Sequence, residues 1–112
     1  MTISVKFFIL IIIGYTMTEY IVESDITIRA VDRPFPERQP VARFTSVDDA
    51  YAFIKKNLED TKALHGYFAR HTLVPIAEVA SRIKDQRPIG YNCVLGQFED
   101  VLYIHEIHSD KK

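Results

Sequence analysis

The stretch from residue 20 to residue 31 alternates between apolar and polar side chains, and this pattern constrains the fold most strongly. One set of alternate positions is apolar, with Ser24 as its only interruption, and the other set is mostly polar. Side chains of a β-strand point alternately to two faces, so the pattern predicts a strand with one buried and one solvated face. Such strands are typical of antiparallel sheets that are packed on one side only.

A proline-rich segment follows this predicted strand. Residues 32–40 contain three prolines, which cannot donate ladder hydrogen bonds and which favour extended geometry in the residues before them. We therefore predict a stiff loop with Phe35 at its centre, and a short strand over residues 41–45. Prolines lower the entropy that a loop loses on binding, so Phe35 is a candidate partner anchor; packing against the sheet edge is the alternative.

The clearest helix signal begins at Ser46, which is a good N-cap residue. Asp49 lies in the first turn, and apolar residues then recur at helical spacing as far as Leu64. We expect this helix to end near His65, with Gly66 as a left-handed C-cap.

The second half of the chain contains a shorter helix and two strands. The helix is predicted to start after Thr72 with Pro75 in its first turn, and residues 67–71 then form a connector between the helices. Residues 89–95 and 98–108 are predicted strands, joined by a tight turn at Gly96-Gln97.

The resulting order β-β-α-α-β-β predicts an α+β fold. We expect a two-layer sandwich in which a four-stranded, mainly antiparallel sheet carries two helices on one face. Cys93 falls in phase with Ile89, Tyr91 and Leu95, which we assign to the core face. A free cysteine in that position acts as a small hydrophobic side chain, so we predict no catalytic role for it.

The first sixteen residues do not resemble the rest of the chain. The apolar run from Phe7 to Tyr15 is shorter than the roughly 20 residues needed to span a bilayer. As a signal peptide it lacks the small residues of a cleavage site. We therefore expect residues 1–16 to be a non-native leader translated ahead of a true start at Met17, with a short signal segment or a membrane-surface anchor as the alternatives.

Residues 17–112 are then expected to form a single α+β domain. The lone cysteine, Cys93, cannot form an internal disulfide, which favours the cytoplasm. Secretion or membrane association is the alternative if residues 1–16 are a real signal segment. No transmembrane span is predicted.

The histidines near the end of the chain first suggest a metal site. On a strand, however, His105 and His108 point to opposite faces, so both cannot bind one ion, and zinc requires three or four convergent ligands. We find no phosphate-binding glycine loop, nucleophile elbow or paired-cysteine motif. We therefore predict no catalytic residue, no metal and no cofactor.

The segment between the predicted helices is the strongest candidate for binding. Tyr67, Phe68 and Arg70 are residue types that often anchor protein interfaces, and loops often carry function. Together with Phe35 they form the predicted partner-binding site, although Tyr67 and Phe68 could instead fill the core. The expected partner is a host protein or a second copy, and an edge strand at residues 41–45 or 98–108 could pair two copies.

The leading functional prediction is a small, non-enzymatic binding or regulatory protein, such as a phage- or mobile-element-type accessory or inhibitor protein. The first alternative is a small enzyme or ligand-binding domain that uses His65 or His71 with Tyr67 and Arg70 on an anionic ligand.

The second alternative is nucleic-acid binding. It would use three basic residues, Arg82, Lys84 and Arg87. The net charge of −1 and the intervening Asp85 give that alternative little support.

Overall fold

The computed structural model describes residues 16–29 and 38–110. Within these ranges the chain is an α+β fold with one five-stranded sheet, all of whose pairs are antiparallel, and two helices. The elements in chain order are β1 (Thr16–Ile28), β2 (Gln39–Phe44), α1 (Val47–His65), a 3-10 turn (Gly66–Phe68), β3 (Ala69–Leu73), α2 (Ile76–Lys84), β4 (Gly90–Val94) and β5 (Phe98–Asp110). The order of strands across the sheet is β2-β1-β5-β4-β3.

Strands β1 and β5 form the centre of the sheet. They pair along their whole length, from Thr16 opposite Asp110 to Ile28 opposite Phe98. The strand predicted from the alternation over residues 20–31 is confirmed as β1. The observed strand begins and ends earlier, at Thr16 and Ile28. Strand β2 pairs with β1 on one side, with a register shift between Val22 and Glu23, and β3 forms the opposite edge.

Helix α1 begins and ends where the sequence predicts. The Ser46 hydroxyl accepts a hydrogen bond of 3.1 Å from the backbone N–H of Asp49, and Gly66 has a φ of 54° at the C-cap. The helix buries Ala50, Ile54 and Leu58 against the sheet. Leu64 was expected on the same stripe, but it is 78% exposed, because the last turn of α1 extends beyond the part that packs on the core.

Both helices contribute to one core on the same face of the sheet. Val22, Leu102 and Ile104 from the sheet pack in that cluster with residues of α1 and α2. Gly90 allows the close approach of α1, because a Cβ atom at this position would lie 2.8 Å from Cγ2 of Ile54.

The prediction that Cys93 lies on the core face is wrong. Gly90, Asn92 and Val94 are the buried residues of β4, so the alternating Tyr91 and Cys93 lie on the face away from the helices. Hydrophobicity misleads here for two reasons. The close helix requires glycine at position 90, and the buried Asn92 donates a hydrogen bond of 3.1 Å to Thr61 of α1.

The sheet has five strands, so the predicted four-stranded sheet and β-β-α-α-β-β order are also wrong. The missing strand is β3, which replaces most of the connector predicted for residues 67–71 and pairs from Ala69 opposite Val94 to Leu73 opposite Gly90. Its three middle residues are polar and exposed, as an edge strand allows. The sequence therefore lacks the alternation of apolar and polar residues that would have predicted a strand here. Pro75 is the N-cap of α2, just before the first turn.

Several predictions concern residues outside the described ranges. Phe35, most of the proline loop and residues 1–15 belong to this group. Among the described residues, no helix is both long enough and apolar enough to cross a membrane.

Candidate partner-binding surface

Three apolar side chains line one cleft where the 3-10 turn contacts the turn between β4 and β5. The backbone N–H of Leu95 donates a hydrogen bond of 3.0 Å to the carbonyl of Phe68. The rings of Tyr67 and Phe68 are 5.3 Å apart and nearly perpendicular, at 80°. We call Tyr67, Phe68 and Leu95 the apolar patch.

The apolar patch is exposed although its backbone is ordered by this hydrogen bond. Tyr67 is 90% exposed, Leu95 is 65% exposed and Phe68 is 57% exposed. The two aromatic rings contact each other edge to face, and this contact also lies at the surface. Because both side chains are exposed, the alternative prediction that Tyr67 and Phe68 fill the core is wrong.

Leu95 occupies a backbone conformation that leucine rarely adopts. Its φ is 55° and that of Gly96 is 65°, and the N–H of Gln97 closes the turn on the carbonyl of Val94 at 3.0 Å. Two successive positive φ angles are characteristic of a type I′ hairpin turn, in which Asn-Gly is the preferred pair. The central residues are thus Leu95-Gly96, one position earlier than predicted.

A cleft of about 380 Å³ adjoins the apolar patch. Arg70, Cys93 and Gly96 complete its lining. Arg70 and Cys93 are cross-strand partners on β3 and β4, and their side chains share the face away from the helices. Burial, and then a hydrogen bond with Cys93, raises the pKa of Tyr91.

The structure brings together most of the predicted partner-binding residues. Tyr67, Phe68 and Arg70 line one cleft, while Phe35 lies outside the described residues. The geometry gives less support to the ligand-binding alternative. His71 follows Arg70 on β3, so its side chain points to the helix side of the sheet, and neither His65 nor His71 lines the cleft.

The histidines of β5 lie on opposite faces and have separate contacts. Nε2 of His108 bonds to a carboxylate oxygen of Glu106, and Nδ1 of His105 lies 3.4 Å from Oε1 of Gln86. In the part of the chain that the structure describes, no three side chains of His, Cys, Asp or Glu converge to hold a metal ion.

Arg82, one of the basic residues of α2, has local partners. Arg82 lies 3.5 Å from the Glu78 carboxylate and donates a hydrogen bond of 3.2 Å to the carbonyl of Pro88. Its guanidinium is therefore already engaged, which weakens the case for phosphate binding through Arg82, Lys84 and Arg87.

Sequence reasoning missed Leu95 as a site residue. The only signal was an X-Gly pair at the end of the strand predicted for residues 89–95, in which a leucine stands where asparagine is usual. No protein family, no curated protein and no solved structure significantly matches this chain.

Proposed function

We propose that this protein acts by binding another protein through the apolar patch, with Arg70 as a polar anchor beside it. The observation that carries the proposal is that two large apolar side chains, Tyr67 and Leu95, are mostly exposed on an ordered part of the backbone. Under this proposal the protein is a non-enzymatic accessory or regulatory protein, and the single cysteine favours the cytoplasm as its compartment.

The conformation of Leu95 supports a role in binding. A left-handed conformation costs an ordinary residue about 1–2 kcal/mol, a cost that glycine and, in part, asparagine avoid. Leucine at this position also gains little from burial in the isolated chain, since it is 65% exposed. A residue that weakens the turn and exposes apolar surface is best explained by a contact that the side chain makes elsewhere.

The composition of the surface fits a protein partner. Tyrosine and arginine are enriched among interface residues whose truncation costs the most binding energy. The adjoining cleft of about 380 Å³ is large enough to receive a side chain from a partner, and Arg70 on its wall can pair with a carboxylate or a carbonyl.

The test is partner capture by tagged protein from the native host, with thermal unfolding measured on the same samples. Tyr67→Ala and Arg70→Ala should each lower the captured amount by about 10-fold or more, as expected for interface anchors. Neither should lower the melting temperature by more than about 2 °C, because both side chains are exposed. Val41→Ala is the matched control, since Val41 is 50% exposed on the distant strand β2.

Two results would contradict the proposal. One is capture that is unchanged in the Tyr67 and Arg70 variants. The other is a large fall in melting temperature, which would make these side chains structural.

A small anionic ligand in the cleft is the second candidate function. Tyr67 and Arg70, two of the four residues predicted for such a site, do line the cleft. Calorimetric titration with inorganic phosphate and with acetate tests it. Binding that disappears in Arg70→Gln would favour this function, and the absence of heat at millimolar anion would exclude it for these ligands.

A further inference from the structure

The outer edge of β3 has unpaired backbone groups. The N–H of Val74 donates to Ile89 at 3.0 Å, and the N–H of Leu95 donates to Phe68 at 3.0 Å. Hydrogen-bonded pairs alternate along an antiparallel ladder, so Arg70 and Thr72 bond inward to β4, while Ala69, His71 and Leu73 direct their backbone groups outward. Within the described ranges, the N–H and C=O of His71 and Leu73 have no other hydrogen bond.

The two edges of the sheet differ in how they are protected. Strand β2 contains Pro40, and its pairing with β1 is interrupted by a register shift, and both features discourage the addition of another strand. Strand β3 has neither a proline nor a bulge, and its three central residues are exposed. Of these two outermost strands, β3 is therefore the one that can more readily accept a further strand.

Exposed apolar side chains lie at both ends of β3. Tyr67 and Phe68 precede the strand, and Ile76, which is 51% exposed, follows it after the exposed Pro75. If two copies pair antiparallel about a two-fold axis at His71, Phe68 and Tyr67 of one copy come level with Val74 and Pro75 of the other. The apolar residues at the start of one β3 then cover those at the end of its partner.

This register also pairs three of the four outward backbone groups of His71 and Leu73, all but the carbonyl of Leu73, and avoids like charges. The outward groups of His71 meet those of the second His71, and the carbonyl of Ala69 meets the N–H of Leu73. The N–H of Ala69 needs no partner because it already bonds to Gly66. Arg70 lies opposite Thr72, so the two arginines are not opposed across the axis.

We infer that a second copy of this chain occupies the β3 edge and covers Tyr67 and Phe68 of the apolar patch, forming a continuous sheet across a two-fold axis. This inference rests on the proposed function, because it names the partner of the same surface. An isologous contact of this kind is the commonest basis of homodimers. The strand is short, so we expect a dissociation constant on the order of 10–100 µM.

Sedimentation equilibrium of the unmodified protein, from about 1 µM to about 1 mM, is the first test. We expect the mass to double across this range. In parallel, amide exchange should slow for His71 and Leu73 as the concentration rises, while the amides of Arg70 and Thr72, which already bond to β4, change little. A monomer at every concentration would overturn the inference.

A charge swap tests the geometry. Tyr67→Lys and Ile76→Glu should each weaken dimerisation by about 10-fold or more, and the double variant should lose clearly less than the two single losses combined, because of an ion pair between copies. Within one chain the two positions lie at opposite ends of β3, so this smaller combined loss requires the antiparallel arrangement. Dimerisation that is insensitive to both single changes would place the contact elsewhere and overturn the inference.

The outcomes also separate this inference from the proposed function. If the protein is monomeric but Tyr67→Ala still abolishes capture of a different protein, the second copy is the wrong partner and the proposed function stands. If the protein is monomeric and capture is unaffected, both are wrong.

Discussion

The backbone hydrogen bond between Leu95 and Phe68, at 3.0 Å, joins the β4–β5 turn to the segment that enters β3. Because the bond uses backbone atoms only, the backbone contact that places the turn beside Tyr67 and Phe68 does not require a leucine side chain at position 95. Substitutions there can therefore separate the stability of the turn from the contacts that the turn makes.

Leu95→Asn should increase the free energy of unfolding by about 1 kcal/mol, because asparagine tolerates positive φ better than leucine does. Urea denaturation measures the change. Leu95→Ala removes the same side chain without this conformational advantage and should give no comparable gain. If the asparagine variant is no more stable than the alanine variant, the strain assigned to Leu95 does not exist.

Gly90→Ala should decrease the free energy of unfolding by about 1–3 kcal/mol, which is typical of an overpacked core. The added methyl would lie 2.8 Å from Cγ2 of Ile54. Ile54→Ala in the same chain removes that atom, so the double variant should lose less than the sum of the single losses. Strictly additive losses would mean that α1 does not approach β4 as closely as described.

Ionisation of the Asp100 carboxyl should lower the free energy of unfolding as the pH rises. Burial raises the pKa of Asp100, and the nearby Asp25 adds to this, while the hydrogen bond from Ser24 acts in the opposite direction. The folded state then holds the proton more tightly than the unfolded state. The free energy of unfolding therefore falls as the pH rises from the pKa of the unfolded state, about 3.9, through the raised pKa of the folded state.

Asp100→Asn removes this dependence. Relative to the unmodified protein, the variant should gain stability between acid and neutral pH, measured by denaturation at several pH values. Ser24→Ala removes the donor that favours the charged carboxylate, so it should steepen the decline. A variant at position 100 that loses relative stability as the pH rises would show that the carboxylate is favoured in the fold.

Tyr51→Phe should cost about 1 kcal/mol of unfolding free energy, the usual contribution of one hydrogen bond. The Tyr51 hydroxyl donates to the carbonyl of Val74 at 2.7 Å and so ties α1 to the segment between β3 and α2. Tyr103→Phe is the control, since the face of its ring contacts the Arg38 guanidinium at 3.7 Å and does not need the hydroxyl. Equal effects of the two changes would exclude the Tyr51 bond as a specific tie.

The parts of the fold that sequence predicted are those encoded locally. Helix α1 has its cap at Ser46 and its stop at Gly66, and β1 has a clean alternation, so both were recognised. Strand β3 exists only because β4 pairs with it, and its polar sequence carries no local sign of that pairing. The face of Cys93 was predicted wrongly from hydrophobicity. Gly90 and Asn92 face helix α1 because of tertiary packing, which the hydrophobic pattern does not show.

The candidate site was predictable in residue type but not in shape. Tyr67, Phe68 and Arg70 were recognised as interface-type residues, and the structure places all three around one cleft. Leu95 could not be recognised, because the sequence shows neither its positive φ nor its closeness to Phe68 in the folded structure. A hairpin turn contributes to the site only once the sheet has formed.

The most direct test of the apolar patch as a contact surface is photo-crosslinking in cells of the native host. A photoreactive phenylalanine analogue replaces Tyr67 in one variant and Lys56 in the other, since the Lys56 side chain is 76% exposed on α1. We predict a discrete crosslinked adduct from position 67 and none above background from position 56. No adduct at position 67, or equal adducts at both positions, would contradict the account.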